Sequence, residues 1–410
     1  MHGLPTLYSW HALVVAGRGL AAVLCLSAIA YYAYALHAAR RFFSRVPPRR
    51  RRFHPAITIL KPIRGLDREA YENFASFCRQ NYPKYQVIFG MESDDEASIE
   101  VVRRVARDFP DADVQVIVGG ALPAANPKVG NLAGMLPHAK HPILLISDSD
   151  IRVAPSHLRQ IVRPLADPGV GVVTCLYRSH AVGFAGRLDA LGLSTDFMPS
   201  VLVARELEGI SFAMGSGVLI RREALESAGG FAAIGDFLAD DYLLGNLPAR
   251  AGYRVELSDG VVEHRLGTTN LGELIAHQIR WNRGIRASRP WGYAGLLLTQ
   301  GVPAALILLA LAGGSAAAAV LCCATLCLRL VMAWFVAVRG LGDSVARRSL
   351  WLVPLRDLMS CALWLGAFFG DSVVWRGGRF RLGKGGRLLP RRTEPAGDEA
   401  VVASSSAAAS

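Results

Sequence analysis

Pro142-Ile143-Leu144-Leu145-Ile146 runs without a break into Ser147-Asp148-Ser149-Asp150. Four consecutive aliphatic residues between a proline and an acidic turn have the length of a strand buried on both faces, as in parallel sheets. The turn places two carboxylates, Asp148 and Asp150, at the strand's carboxyl end, where open α/β sheets bind their ligands. Hard divalent ions such as Mg2+ or Mn2+ take oxygen ligands of this kind and share them with phosphate oxygens. An Asx-type turn, satisfied by its own backbone, uses the same residues. The stretch by itself leaves both readings open.

Further strands precede it. Ile57-Thr58-Ile59-Leu60 reads as a strand stopped by Lys61-Pro62, and residues 68–81 read as a helix ended before Tyr82-Pro83. Residues 86–91 form a second strand, closed by Glu92-Ser93-Asp94-Asp95-Glu96. A helix to Phe109 and a strand at 114–118 follow. This succession predicts an α/β domain over residues 54–289, with a mostly parallel sheet and helices on both faces. No G-x-x-x-x-G-K-[ST] is present and no G-x-G-x-x-G follows a strand, so ATPase and dinucleotide readings lose their main support.

On either side of that domain the sequence turns apolar. Residues 19–39 hold 21 positions without Lys, Arg, Asp or Glu, which as a helix would reach roughly 31 Å, about the thickness of a bilayer core. Arginines follow it rather than precede it, which suits an uncleaved anchor with the next domain cytoplasmic. Residues 290–328 are free of formal charge and long enough for two spans, divided near Gly313-Gly314-Ser315. Arg329 then falls within the second span and is expected to face protein or the nearer interface. Residues 350–370 are apolar except for Arg356 and Asp357, a pattern that fits a re-entrant or interfacial helix as well as a span. The expected organisation is an anchor and basic linker (1–53), the α/β domain (54–289), membrane helices (290–371), and a basic segment with a disordered Ala/Ser-rich tail (372–410). Five of the seven cysteines lie in apolar segments and no C-x-x-C occurs, so they read as small buried hydrophobes.

The 410 residues are 52% hydrophobic and 19% charged, too apolar for intrinsic disorder, and carry a net charge of +12. Basic character suits nucleic acid or a membrane surface, and its position decides between them. Seven Lys and Arg fall in 40–52 and seven in 376–392, with no acid in either; without those fourteen, 31 basic residues face 33 acidic ones. The charge therefore argues for topology and anionic lipid. A nucleic-acid binder would interleave basic and aromatic residues on its folded domain, and this domain is acidic where it is patterned.

Further residues are candidates for chemistry. Asp240-Asp241-Tyr242, in an apolar setting, suits a carboxylate of raised pKa that takes a proton from a hydroxyl, or a helix start using acids against its dipole. Arg280 and Trp281 could hold a diphosphate and stack on a sugar or lipid head, while Arg283 and Arg286 could equally be membrane-flanking cations. Lys128, within Asn126-Pro127-Lys128 and close to Asn131, can meet a phosphate or lie in a solvated loop. Gly215-Ser216-Gly217 opens a strand and suggests close backbone approach to a ligand or a tight turn.

Taken in order, Ile59-Leu60-Lys61-Pro62 with Gly65, Asn81-Tyr82-Pro83-Lys84-Tyr85, Asn126 to Leu132, Ser147 to Val153, Ala239-Asp240-Asp241-Tyr242 and Ile279-Arg280-Trp281 resemble the ceramide glucosyltransferase family of processive-type GT-A glycosyltransferases. Within it they look most like the bacterial hopanoid-biosynthesis-associated glycosyltransferases. The resemblance covers roughly 58–286 together with one anchor before the domain and several after it. It implies a multi-pass protein of a bacterial cell membrane that transfers a sugar, with inversion, from a UDP-sugar donor to a hydroxyl of a membrane lipid acceptor. By the same resemblance Glu92, with Asp94 and Asp95 nearby, grips the nucleotide, and Lys61, Lys128, Asn131 and Asp148 serve the donor. Asp148 and Asp150 would hold a divalent metal, Mg2+ or Mn2+, with Asp241 as the general base and Arg280 and Trp281 as the terminal motif.

The chain departs from the family pattern at three places. Glu92 stands where an aspartate is usual. His277 occupies the Gln/Arg position ahead of Arg280-Trp281, with Gln278 one place later. Ser194-Thr195-Asp196-Phe197 lacks the active-site histidine of the animal ceramide enzymes, which favours a hopanoid acceptor over ceramide; the resemblance implies N-acetylglucosamine transfer to bacteriohopanetetrol, with glucose transfer to ceramide as the alternative. A processive polysaccharide synthase shares several of these motifs, but would need more spans to form a translocation pore.

Overall fold

The computed structural model describes residues 4–45, 53–91, 95–267, 270–375 and 378–390. Helix α1 (Leu4–Phe43) comes first. β1 (Ile57–Pro62), α2 (Ala70–Cys78), β2 (Tyr85–Met91), α3 (Glu96–Asp108) and β3 (Asp113–Val118) then follow in the alternation expected. Next come α4 (Pro127–Met135), β4 (Ile143–Ile146), β5 (Ile151–Arg152), α5 (His157–Ile161), β6 (Val170–His180) and α6 (Gly183–Gly192). α7 (Met198–Leu207), β7 (Val218–Arg221), α8 (Arg222–Ser227), α9 (Asp240–Arg250), β8 (Arg254–Arg265) and α10 (Leu271–Ser288) complete the α/β part. α11 (Pro290–Gly295), α12 (Gly301–Leu311), α13 (Ala316–Ala333), α14 (Ser344–Ser349) and α15 (Val353–Gly366) lead to β9 (Ser372–Trp375), β10 (Gly378–Leu382) and β11 (Leu388–Pro390).

Local chemistry explains the boundaries. α3 turns Ile99, Val102 and Val105 inward, and the Asp95 carboxylate accepts the Ser98 N–H at its start. Asn126 caps α4 by accepting the Val129 N–H, with Pro127 in the first turn, where no N–H is needed. β1 and β4 are buried at every position, as their unbroken aliphatic runs require.

Eight strands form one sheet in the order β3-β2-β1-β4-β7-β6-β8-β5. β1 runs parallel to both β2 and β4, β2 is parallel to β3, and β6 is parallel to β8. β7 runs against β4 and β6, and β5 against β8. The chain winds outward from β1 to β3 and then crosses back to place β4 on the other side of β1. Such a reversal opens a crevice at the strands' carboxyl ends. Here those ends carry Lys61 and the Ser147-Asp148 turn.

Among the described residues two helices are long and apolar enough to cross a membrane, Trp10–Phe43 and Ala316–Gly340. A pair bent by 51°, Pro290–Thr299 with Gly301–Leu311, makes a third if counted as one span. α1, α12 and α13 pack through small side chains, Ala21, Cys25, Ala304, Ala305 and Ala318 among them. A Cβ on Gly301 would lie 2.7 Å from Ala28 Cβ and 2.8 Å from the Tyr32 hydroxyl, so only glycine permits this approach. Leu13, Leu20, Leu26, Ile307 and Val320 point outward, as lipid-facing residues do. Gly313 and Gly314 adopt positive φ where the sequence divides the two spans.

α15, at 14 residues, reaches only about 21 Å, short of a bilayer core. Its polarity is inverted: Arg356 and Asp357 are buried while Leu355 and Leu358 are exposed. One hydrophobic core runs from Ala28 to Phe42 of α1 through the sheet to Met332 and Val336, across the expected boundary at 53/54. The basic segment that follows the apolar helices contains the sheet β9–β11. The Ala/Ser-rich tail, 391–410, lies outside the described residues.

Candidate active site

The crevice between β1 and β4 is built around the acidic turn. The Lys61 side chain is fully buried over the Phe77 ring and donates to the Asp148 carbonyl at 2.7 Å. Burial draws its pKa down to about 7 against the pull of Asp150, Asp148 and Asp67. The two carboxylates of the turn diverge. Asp148 meets the Lys128 ammonium at 2.7 Å, whereas Asp150 meets His264 Nε2 at 3.0 Å. Loss of water contact pushes Asp148 up despite Lys128; it acts on the partly buried Asp150 too, but His264 holds that carboxyl below the ordinary carboxylate range. His264 reaches Asp150 because β5 pairs with β8, placing Ile151 opposite it.

Lys128 also lies 2.9 Å from Asp240, and these carboxylates keep it charged despite its burial. Among the described residues, Asp241, the neighbour of Asp240, forms no salt bridge. Its Oδ2 accepts the Gly215 N–H at 3.0 Å and its Oδ1 accepts its own neighbour's N–H, from Tyr242, at 2.8 Å. Burial, and then the Asp240 charge, push its pKa up to about 6 against the pull of Lys128. A carboxylate near neutrality is matched to proton transfer at cellular pH.

α10 supplies the facing wall. Arg280 and Trp281 line the same cavity as Asp241, with the indole edge-on to His277 at 4.9 Å and 6.2 Å from the Phe197 ring. Gln278 donates to Asp189 at 2.7 Å. Arg283 and Arg286 turn away, donating to carbonyls of Phe368, Phe369, Gly370 and Ser372 beyond the end of α15. The loop ahead of Asp240 is gripped by the C-terminal sheet: Leu238 N–H donates to Gly386 and Leu388 N–H donates to Asp236. Val373, Leu382 and Leu388 close over Leu238 and Ala287.

The cavity measures about 840 Å3. It is lined by Lys128, Asp148, Asp150 and Asp241 of the α/β part and by Tyr32, Pro303 and Arg329 of the apolar helices. The sequence model of glycosyl transferase family 21 matches residues 20–388, from within α1 to the start of β11. The chain belongs to glycosyl transferase family 21.

Among relatives of this family-21 chain, Ceramide glucosyltransferase 3 of Caenorhabditis elegans is 25% identical over 346 residues, covering 82% of this chain and 74% of the relative. Ceramide glucosyltransferase 1 of the same organism is 24% identical over 357 residues, covering 85% and 76%. A mannosyltransferase from Pyrobaculum calidifontis, solved with GDP-Man and Mn2+, superposes with a TM-score of 0.54 at 22% identity, covering 85% of this chain and 97% of that one. The sheet therefore has the GT-A-like fold expected, and the protein is a glycosyltransferase.

Of the residues singled out from the sequence, Lys128, Asp148, Asp150, Asp241, Arg280 and Trp281 line one cavity in the family-21 chain. Three do not reach it. Lys61 lies behind the acidic turn, its ammonium taken up by the Asp148 carbonyl. Asn131 donates to the Gly90 carbonyl at 2.8 Å, and Asp95 caps α3 and accepts the Gly65 N–H at 2.7 Å. Glu92 and Asp94 lie outside the described residues. Arg283 and Arg286, open as membrane-flanking cations, instead tie α10 to the end of α15. His264 was missed because it carries no local motif and meets Asp150 only through strand pairing. Arg64 and Asp67, which also line the cavity, gave no signal either. Gly215 did: a Cβ there would lie 2.6 Å from Asp148 Oδ2, so the glycine pair does mark a close approach.

Proposed function

We propose that this glycosyltransferase moves a hexose from a UDP-sugar onto a primary or secondary hydroxyl of a membrane lipid. The observation that carries the reading is the single cavity joining the carboxylates of the sheet to the side chains of the apolar helices. A water-soluble donor can enter at one end while a lipid head reaches the same space from the bilayer. The C. elegans relatives, matched along about three quarters of their length, are ceramide glucosyltransferases, which favours glucose as the sugar and an N-acyl sphingoid as the acceptor. A hopanoid polyol is the second reading, resting on the missing histidine at 194–197.

Asp241 takes the acceptor proton as the hydroxyl oxygen attacks the anomeric carbon from the side opposite the diphosphate. The bond from that carbon to the phosphate oxygen breaks, its electron pair leaves with UDP, and the configuration inverts. Proton transfer of this kind contributes on the order of 10²–10⁴-fold. Arg280 and Lys128 bring positive charge to the departing diphosphate, and Trp281 offers a face for the sugar. Among the described residues no three His, Cys, Asp or Glu side chains form a ready-made metal cage. Asp148 and Asp150 both line the cavity but turn to Lys128 and His264, so a divalent ion that completes its shell with phosphates and water, as Mg2+ usually does, would take the place of those partners. Asp148 and Asp150 would hold it, and when bound it supplies positive charge to the diphosphate.

The reading is tested with purified protein in nanodiscs, UDP-glucose or UDP-N-acetylglucosamine, and ceramide or bacteriohopanetetrol, with products identified by mass spectrometry. Glucosylceramide is the expected product. A hexosaminyl hopanoid would move the assignment to the second reading, and a polymer would replace both with a processive synthase.

A further inference from the structure

A second cavity, of about 310 Å3, shares no lining residue with the site described above. Its walls are Leu330 and Val331 of α13, Trp334 just beyond that helix, and Leu350 and Trp351 of the turn between α14 and α15. Leu330 and Leu350 pack inward on a small core that holds Leu188, Leu191 and Leu274. Val331, Trp334 and Trp351 are 50%, 45% and 71% exposed. Two exposed indoles on one apolar groove suit a membrane–water boundary, because the ring joins an apolar body to a single N–H.

α1 fixes the level of the groove. Its last turn carries Arg40 and Arg41, and the Arg40 guanidinium lies 5.6 Å from the ring of Phe335, the residue after Trp334. Gly340 abuts the Phe43 ring in the same way. The Trp334 end of the groove therefore stands where α1 leaves the apolar layer. Beyond it the chain turns basic: Arg339, Arg347 and Arg348 are exposed, and among the described residues none of them forms an ion pair. The one acid in this loop, Asp343, is 1% exposed and is used up inside, its Oδ1 accepting the Val345 and Ala346 N–H groups at 2.7 and 2.9 Å. Arg329, one residue before the groove, turns inward and pairs with Asp357 at 2.7 Å. Arg347 and Arg348 stand three residues, about one helical turn, before Leu350 and Trp351.

We propose that this groove holds an anionic phospholipid of the leaflet next to the α/β part, with one acyl chain between Trp334 and Trp351 and its phosphate at Arg347 and Arg348. A guanidinium presents a fork of N–H donors to phosphate oxygens, and basic rims on clefts between membrane helices recognise anionic lipid heads. A zwitterionic lipid carries the same phosphate, but its ammonium cancels the net charge that three uncompensated cations favour. A free phosphate would leave the apolar walls unfilled, which commits the groove to a lipid. The site is separate from the transfer cavity and holds whichever sugar and acceptor the enzyme uses. A lipid seated there joins α13 to the turn ahead of α15, and by binding only the folded chain it stabilises it.

Native mass spectrometry of the full chain in a neutral detergent counts the lipid retained, and thermal unfolding of the same samples reads its effect. Dioctanoyl phosphatidylglycerol is expected to bind and to raise the melting temperature, with dioctanoyl phosphatidylcholine about tenfold weaker. Arg347→Gln combined with Arg348→Gln should weaken phosphatidylglycerol binding about thirtyfold. Arg379→Gln combined with Lys384→Gln removes the same charge from exposed positions of the C-terminal sheet and should change binding by less than about twofold. Trp351→Ser should weaken both lipids alike. Unfolding without lipid checks that each variant keeps its fold, as exposed side chains allow. Equal loss in the two double variants would reduce the effect to net charge and overturn the site. Equal retention of the two lipids by the wild type would overturn it, as would glycerol 1-phosphate raising the melting temperature as far as the lipid does. A dimer that retains no lipid and is lost in Trp351→Ser would give the groove to a second copy of the chain instead.

Discussion

Asp148 and Asp241 are joined through one glycine: the Asp148 N–H donates to the Gly215 carbonyl at 3.4 Å, and the Gly215 N–H donates to Asp241 at 3.0 Å. A methyl group at 215 would collide with Asp148 and touch Asp241. Gly215→Ala should therefore lower kcat/KM at least tenfold while costing only about 1–3 kcal/mol in stability, the usual range for overpacking. Steady-state kinetics beside denaturant melts of the same preparation check this. Wild-type kinetics in the variant would mean the two carboxylates do not work together.

As the proposed base, Asp241 should set the acid limb of the pH profile. Only its ionised form accepts a proton, so with a pKa raised to about 6 the rate should fall as pH drops through 6. An ordinary aspartate would hold the rate down to about pH 4. Asp240→Asn removes the neighbouring charge that raises Asp241 and should move the limb to lower pH. Asp241→Asn should lose on the order of 10²–10⁴-fold in kcat with UDP binding intact.

Lys128 serves Asp148 and Asp240 together, at 2.7 and 2.9 Å. Lys128→Met leaves the buried Asp240 and the partly exposed Asp148 without their cation, and breaking the buried Lys128–Asp240 pair costs about 3–5 kcal/mol. Adding Asp240→Asn should recover part of that loss. Thermal unfolding of the single and double variants in one detergent measures the difference.

Chelation should stop glycolipid formation, and added Mn2+ or Mg2+ should restore it. If the ion shares its shell between Asp148, Asp150 and a diphosphate, Mn2+ should bind more tightly with UDP present than without it. Paramagnetic titration of the protein reads this directly, and Asp150→Asn should weaken it. Full activity after exhaustive chelation would remove the ion from the reaction.

The C-terminal sheet can be tested at two residues. The Arg387–Asp236 ion pair is largely exposed and contributes little. Arg387→Ala should be near neutral. Leu388 is buried against Leu238, so Leu388→Asp should open the loop ahead of Asp240 and lower kcat with little change in UDP affinity. Turnover and nucleotide binding measured side by side distinguish the two.

The parts of the molecule legible in the sequence are those with local signals. Ile143 to Ile146 announces a buried strand by composition alone, and Gly313-Gly314 divides two helices because positive φ favours glycine. β6 and β8 gave no such signal, since polar residues interrupt both and their pairing joins residues about 85 positions apart. His264 stayed hidden for the same reason. Lys61 and Asn131 were recognisable as polar residues near a ligand end, but whether a side chain meets the ligand or braces the backbone depends on packing. Arg329 and Asp357 each stood out as charges in apolar stretches; that they meet is a property of the folded chain.

The clasp between Leu238 and Gly386 also has a consequence in time. Residues 386–388 follow every apolar helix in chain order, so during synthesis they emerge after those helices. Until they do, the loop leading to Asp241 lacks its backbone partners, and the α/β part waits in an unfinished state. A nascent chain therefore gains the backbone contacts that hold this loop only after its apolar helices have been made.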